Sequence, residues 1–126
     1  MQFIHTNPNF PISQAVVYSG RILETVLTPI PKGAQTPVAG GPAEEMREIF
    51  RQLDAVLAAA GLSRSAIVSA RLYLQDVNKD IADVNEVYKQ YFASHSPSRR
   101  AYGVDLQAGM KVEAAFVAEC PAEAGA

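Results

Sequence analysis

Pro97-Ser-Arg-Arg-Ala-Tyr-Gly-Val-Asp-Leu-Gln-Ala-Gly-Met-Lys-Val-Glu-Ala-Ala-Phe-Val-Ala-Glu119 is the stretch whose reading decides the fold. It reads as two strands joined by a short turn, with Asp105, Gln107 and Gly109 as turn residues. In the second strand Val112, Ala114, Phe116 and Ala118 point one way, and Glu113, Ala115, Val117 and Glu119 the other. A hairpin would bring the ends of the stretch together and set Arg99, of the Arg99-Arg100 pair, near Glu113. A guanidinium holds a carboxylate through two parallel hydrogen bonds. A glutamate beside it can hold or activate a water. The same two residues also fit a plain exposed ion pair at a sheet edge.

Upstream, Gln2 to His5 is a short possible strand, broken by Asn7-Pro8-Asn9 and Phe10-Pro11. Gln14 to Tyr18 and Arg21 to Thr28 read as strands joined by a Ser19-Gly20 hairpin turn. Lys32 to Gly41 is a Gly/Pro-rich loop. Pro42 to Ala60 is the clearest helix, with Met46, Ile49, Phe50, Leu53, Leu57 and Ala60 on one face. Its charges, Glu44, Glu45, Arg47, Glu48, Arg51 and Asp54, are expected mostly on a solvated face, and Gly61 is placed to end it. Ser65 to Leu74 is a strand with Val68, Ala70, Leu72 and Leu74 on one side and Ile67, Ser69, Arg71 and Tyr73 on the other. Ile81, Val84, Tyr88 and Tyr91 or Phe92 mark a second amphipathic helix, to about Ser94. The tail from about Ala118 to Ala126 is expected to fray.

Two helices with one apolar stripe each cover one face of a sheet, giving a two-layer α+β domain with a mixed sheet. The other face keeps Ile67, Tyr73, Ala115 and Val117 without a cover. An apolar patch of that kind marks an interface, so a ring of copies meeting through their bare faces is expected.

The chain has 126 residues, a length suited to one domain, and 48% are hydrophobic. Eleven basic against thirteen acidic residues leave a net charge of −2. That disfavours nucleic acid or an anionic membrane as the main partner. The single cysteine, Cys120, has no internal partner, and neither a signal peptide nor a membrane span is expected. A protein of the reducing cytoplasm is the simplest expectation. His5 and His95 lie in no metal-binding motif, and no metal or cofactor is expected.

Several segments together resemble the RidA (YjgF-like) family of enamine and imine deaminases. They are Ser13-Gln-Ala-Val16, Leu53-Asp-Ala-Val-Leu-Ala-Ala-Ala-Gly61, Val84-Asn-Glu-Val-Tyr-Lys-Gln-Tyr-Phe92, Pro97-Ser-Arg-Arg100 and Lys111-Val-Glu113. The resemblance runs from about Pro11 to Glu119 and implies one RidA-like domain over residues 1–126. It further implies a chorismate-mutase-like fold, a homotrimeric barrel, and sites in the clefts between subunits. By that resemblance Arg99 grips the substrate carboxylate, Glu113 positions the hydrolytic water, and Asn85 supports the site. Where many members carry a site tyrosine this chain has Ile12, so Ile12 is expected to line the substrate pocket. A Ser-Gly segment is replaced within Thr25-Val-Leu-Thr-Pro-Ile-Pro31, and a second glutamate by Ala115.

The implied activity is hydrolysis of a 2-enamine or 2-imine carboxylate to a 2-keto acid and ammonia. The alternative is a non-enzymatic binder of small carboxylate metabolites at the subunit clefts. A third reading, a protein-interaction role, would use the acidic face around Glu44 and Glu45.

Overall fold

The computed structural model describes residues 1–121. Strands β1 (Gln2–Thr6), β2 (Ser13–Tyr18) and β3 (Ile22–Leu27) precede helix α1 (Pro42–Ala59). Strand β4 (Ile67–Leu74), helix α2 (Val77–Tyr91), and strands β5 (Ser98–Gly103) and β6 (Val112–Glu119) follow. They form one six-stranded sheet in the order β1-β2-β3-β6-β4-β5. Both helices pack on the same face, so the two-layer α+β architecture with a mixed sheet is as expected.

Local chemistry sets most boundaries. The β2–β3 hairpin turns through Ser19 and Gly20, both left-handed at φ 56° and 65°, which matches the twist of the flanking strands. The α1 helix ends where Gly61 takes φ 72° and Leu62 N–H reaches back to the Leu57 carbonyl at 2.8 Å. At the start of α2 the Asp76 carboxylate accepts from Lys79 N–H at 3.4 Å. The core interleaves Met46, Ile49 and Leu53 of α1 with Leu23, Leu72 and Phe116 of the sheet, all essentially inaccessible. Each such side chain contributes roughly 1.5–3 kcal/mol through burial.

The expected β5–β6 hairpin does not form. Instead β5 pairs with β4 in parallel, Ala70 opposite Arg99 and Tyr73 opposite Tyr102. Strand β6 pairs antiparallel with both β3 and β4. The reason lies upstream. A parallel pair needs a long crossover, and α2 supplies it between β4 and β5. Residues 104–111 then carry the chain across the end of β4. Gln75 holds that crossing: its N–H donates to the Lys111 carbonyl at 3.0 Å, and its Oε1 accepts from Leu106 N–H at 2.6 Å.

Three further expectations are corrected. A bulge between Ile67 and Ser69 turns Ile67 into the core and leaves Val68 half exposed, so Ile67 does not belong to the bare face. The charged side of α1 is not uniformly solvated, because Glu45 and Glu48 are buried. Glu45 Oε1 accepts from Lys111 N–H at 2.7 Å, tying α1 to the entry of β6. Two carboxylates of the expected acidic face are thus withdrawn from a partner, while Glu44 stays exposed. Finally, Ala118 and Glu119 are ordered members of β6 rather than tail, while residues 122–126 lie outside the described residues.

Aromatic packing closes the helix layer. Phe50 stacks on Tyr91 with centroids 3.9 Å apart. Tyr91 hydroxyl donates to Asp54 at 2.6 Å, and Arg64 clasps the same carboxylate at 2.9 and 3.1 Å. Burial pushes Asp54 up, but hydrogen bonds from Arg64 and Tyr91 and the Arg64 charge outweigh it and hold the carboxyl below its ordinary value.

Glu45→Ala leaves the Lys111 amide and the buried Val112 amide without their shared acceptor and is expected to cost about 1–3 kcal/mol in urea unfolding. Glu45→Gln, which keeps an acceptor oxygen, is expected to cost distinctly less.

Candidate active site

Arg99 sits on β5, the last strand at one edge of the sheet. Its register partner Ala70 is a core residue, so Arg99 leaves the sheet on the helix side. There α2 meets it. Arg99 Nη1 donates to Asn85 Oδ1 at 2.7 Å, and its guanidinium carbon lies 4.8 Å from the Tyr88 ring centroid. Asn85 and Tyr88 are three residues apart and share one face of α2. The structure therefore joins Arg99 to the predicted Asn85 and adds Tyr88, which the spacing places on the apolar stripe of the helix. Tyr88 hydroxyl is buried without a hydrogen-bond partner among the described residues. Burial pushes that phenol above its ordinary pKa, with the Arg99 charge pulling the other way.

No carboxylate pairs with Arg99 among the described residues. Asn85 offers a neutral oxygen, so it orients the guanidinium without neutralising it. A guanidinium in that state retains donors that can fork onto a carboxylate.

Glu113 is elsewhere. Its register partner is Tyr73, three residues from Ala70 along β4, and an odd separation along a strand means opposite faces. Glu113 thus lies on the bare face while Arg99 lies on the helix face. Within one chain the two do not meet. Glu113 is half-buried, and that burial raises its carboxyl above the ordinary glutamate value. No hydrogen bond or ion pair engages it among the described residues.

Ile12 lies just before β2, near the opposite edge of the sheet from β5, and is more than half exposed. It is not assembled with Arg99 or Glu113 in the single chain. On the bare face, Val16, Glu24, Val26, Arg71 and Ala115 line a depression of about 360 Å³. A larger depression of about 450 Å³ lies around Asp54, Leu62 and Arg64, where the charges are already paired with each other.

His95 donates from Nε2 to the Ile67 carbonyl at 2.5 Å, and His5 contacts Gln14 at 2.7 Å. Both are structural contacts. Among the described residues no three histidine, cysteine, aspartate or glutamate side chains cluster as metal ligands, and no helix is long and apolar enough to cross a membrane.

A mixed sheet with two helices on one face is also the fold to which comparison with known proteins leads. The family model described as endoribonuclease L-PSP matches residues 6–120. Human 2-iminobutanoate/2-iminopropanoate deaminase is 37% identical over 109 residues, covering 86% of this chain and 79% of the human protein. A putative endoribonuclease from Thermotoga maritima superposes with a TM-score of 0.86 at 26% identity, covering 97% and 99% of the two chains. Escherichia coli TdcF, solved with bound serine, gives 0.80 at 29% identity, covering 92% and 93%. The chain belongs to the endoribonuclease L-PSP family, the RidA/YjgF group that its sequence resembles.

The raised Glu113 pKa has a consequence for stability. A carboxyl whose pKa is higher folded than unfolded favours the fold when protonated, and that contribution is lost as pH rises through the folded value. Glu113→Gln is therefore expected to stabilise the protein at about pH 7 and to lose that advantage near pH 4. Urea unfolding at the two pH values checks it. Asn85→Asp supplies Arg99 with a competing charge, and calorimetry is expected to show weaker binding of a 2-keto acid.

Proposed function

We propose that the chain hydrolyses 2-imine carboxylates, and their 2-enamine tautomers, to 2-keto acids and ammonia. The observation that carries this is Arg99: a guanidinium oriented by Asn85, resting on Tyr88, and paired with no carboxylate among the described residues. The deaminase name of the human relative supports the same reading. The family description speaks of an endoribonuclease, but a chain of net charge −2 lacks the overall basic character that a polyanion demands.

In the proposed reaction Arg99 holds the substrate carboxylate. The imine carbon is already electrophilic, so catalysis needs orientation and a placed water. Glu113 accepts a proton from that water as its oxygen bonds to the imine carbon. With the imine protonated at nitrogen, the amino alcohol takes the proton back from Glu113 on nitrogen, the C–N bond breaks and ammonia leaves, and Glu113 accepts the hydroxyl proton as the C=O bond forms. A raised Glu113 pKa suits a group that must both accept and return a proton.

Because the register sends Arg99 and Glu113 to opposite faces, the proposed site is composite. One copy offers Arg99 and a neighbour offers Glu113, in a homotrimer whose bare sheet faces meet. Ile12 is assigned to the wall of that shared cleft.

With 2-iminobutanoate generated in solution, Arg99→Ala is expected to lower kcat/KM by about a hundredfold or more, as loss of a charged hydrogen-bond pair does. Equal decay with wild type and variant would sink the hydrolytic reading. Keto-acid binding without turnover would point to the metabolite binder instead. Mixed rings of Arg99→Ala and Glu113→Gln chains are expected to regain about a third of native activity, since one cleft in three then holds both residues. A cleft built within one chain would regain none. In wild type the acid limb of the kcat/KM profile is expected above the ordinary carboxylate range, because Glu113 must be ionised to act as base.

A further inference from the structure

We infer that Arg71 and Arg100 form a second anion subsite beside Glu113, one that selects 2-imino acids bearing a second carboxylate. The inference deepens the proposed function and rests on Glu113 having the role given above. Arg71 and Arg100 stand directly opposite one another on β4 and β5. Both are exposed, and both lie on the bare face. Like charges in register repel unless an anion lies against them. Neither guanidinium has an ion-pair partner among the described residues.

The neighbouring rung of the same face is Glu113, Tyr73 and Tyr102 in that order across β6, β4 and β5. Glu113 is therefore diagonal to Arg71, roughly 7–8 Å away by strand geometry. Tyr73 and Tyr102 stack at 5.7 Å, giving the rung a flat floor. Arg71 also lines the depression of about 360 Å³ that runs toward β3.

Charge accounting on this face separates a ligand from a second copy of the chain. Apart from Glu113, the carboxylates on this face among the described residues are Glu24 and Glu119, and Glu119 pairs with Arg21 at 3.5 Å. A neighbouring copy thus has Glu24 to offer against two guanidiniums. Glu113 is kept for the water, so one positive charge next to the reacting carbon stays unanswered. The distal carboxylate of a substrate answers it. Arg99 of one copy would take the carboxylate beside the imine, and Arg71 with Arg100 of the next would take the far one.

The test uses the full chain. Decay of 2-iminobutanoate and of the imine formed from glutamate is followed for wild type, Arg71→Ala, Arg100→Ala and the double variant. Each single variant is expected to lose about tenfold more kcat/KM on the dicarboxylic imine than on the monocarboxylic one, mainly through KM. Calorimetry with 2-oxoglutarate and 2-oxobutanoate gives a readout independent of turnover, and wild type is expected to bind the diacid about tenfold tighter, a gap that closes in the double variant. Equal affinity for the two keto acids, or equal losses on the two imines, overturns the subsite. So does dissociation of the ring by Arg71→Ala and Glu24→Gln alike, which would make these residues contacts between copies. Diacid preference without turnover of either imine would remove the hydrolytic reading and leave the subsite standing.

Discussion

Parallel pairing of β5 with β4 is the constraint on which the rest of the molecule depends. Such a pair cannot be closed by a tight turn, so the chain must pass through α2 between the two strands. That passage lays α2 over the edge of the sheet and brings Asn85 and Tyr88 to Arg99. It also obliges the chain to recross β4 before entering β6, a crossing secured by Gln75 and by the buried Glu45. The position of Glu113, two residues into β6, follows from where that crossing lands.

Two kinds of electrostatic preparation result. On the helix side Arg99 is aligned by an amide oxygen, so its charge is directed yet not consumed. On the bare side Glu113 is half withdrawn from water, so its carboxyl is held above its ordinary pKa. The strand period keeps these two preparations on opposite surfaces of one sheet. The function proposed for the chain joins them across two copies.

Much of this was legible in the residues. The alternation from Val112 to Glu119 fixed the core side of β6, and the apolar spacing of Met46, Ile49 and Leu53 fixed the buried stripe of α1. The Ser19-Gly20 turn and the Gly61 helix end were local chemistry and came out as read. Strand order was not legible, because Asp105, Gln107 and Gly109 suit a turn whether the chain folds back beside β5 or steps over β4. The opposite facing of Arg99 and Glu113 depends on that order and was hidden with it. Nor did Glu45 announce itself: a glutamate in the first turn of a helix looks solvated until the strand that needs its oxygen is in place. The bulge before Ser69 likewise depends on β6, not on β4 alone.

Strand β5 has one flank without a neighbour in the sheet, and an open flank of backbone amides and carbonyls invites another chain to zip onto it. Arg99 and Arg100 project from its two surfaces, so any strand approaching in register meets a fixed positive charge from above and from below. The guanidiniums at this margin therefore guard the protein against runaway sheet growth.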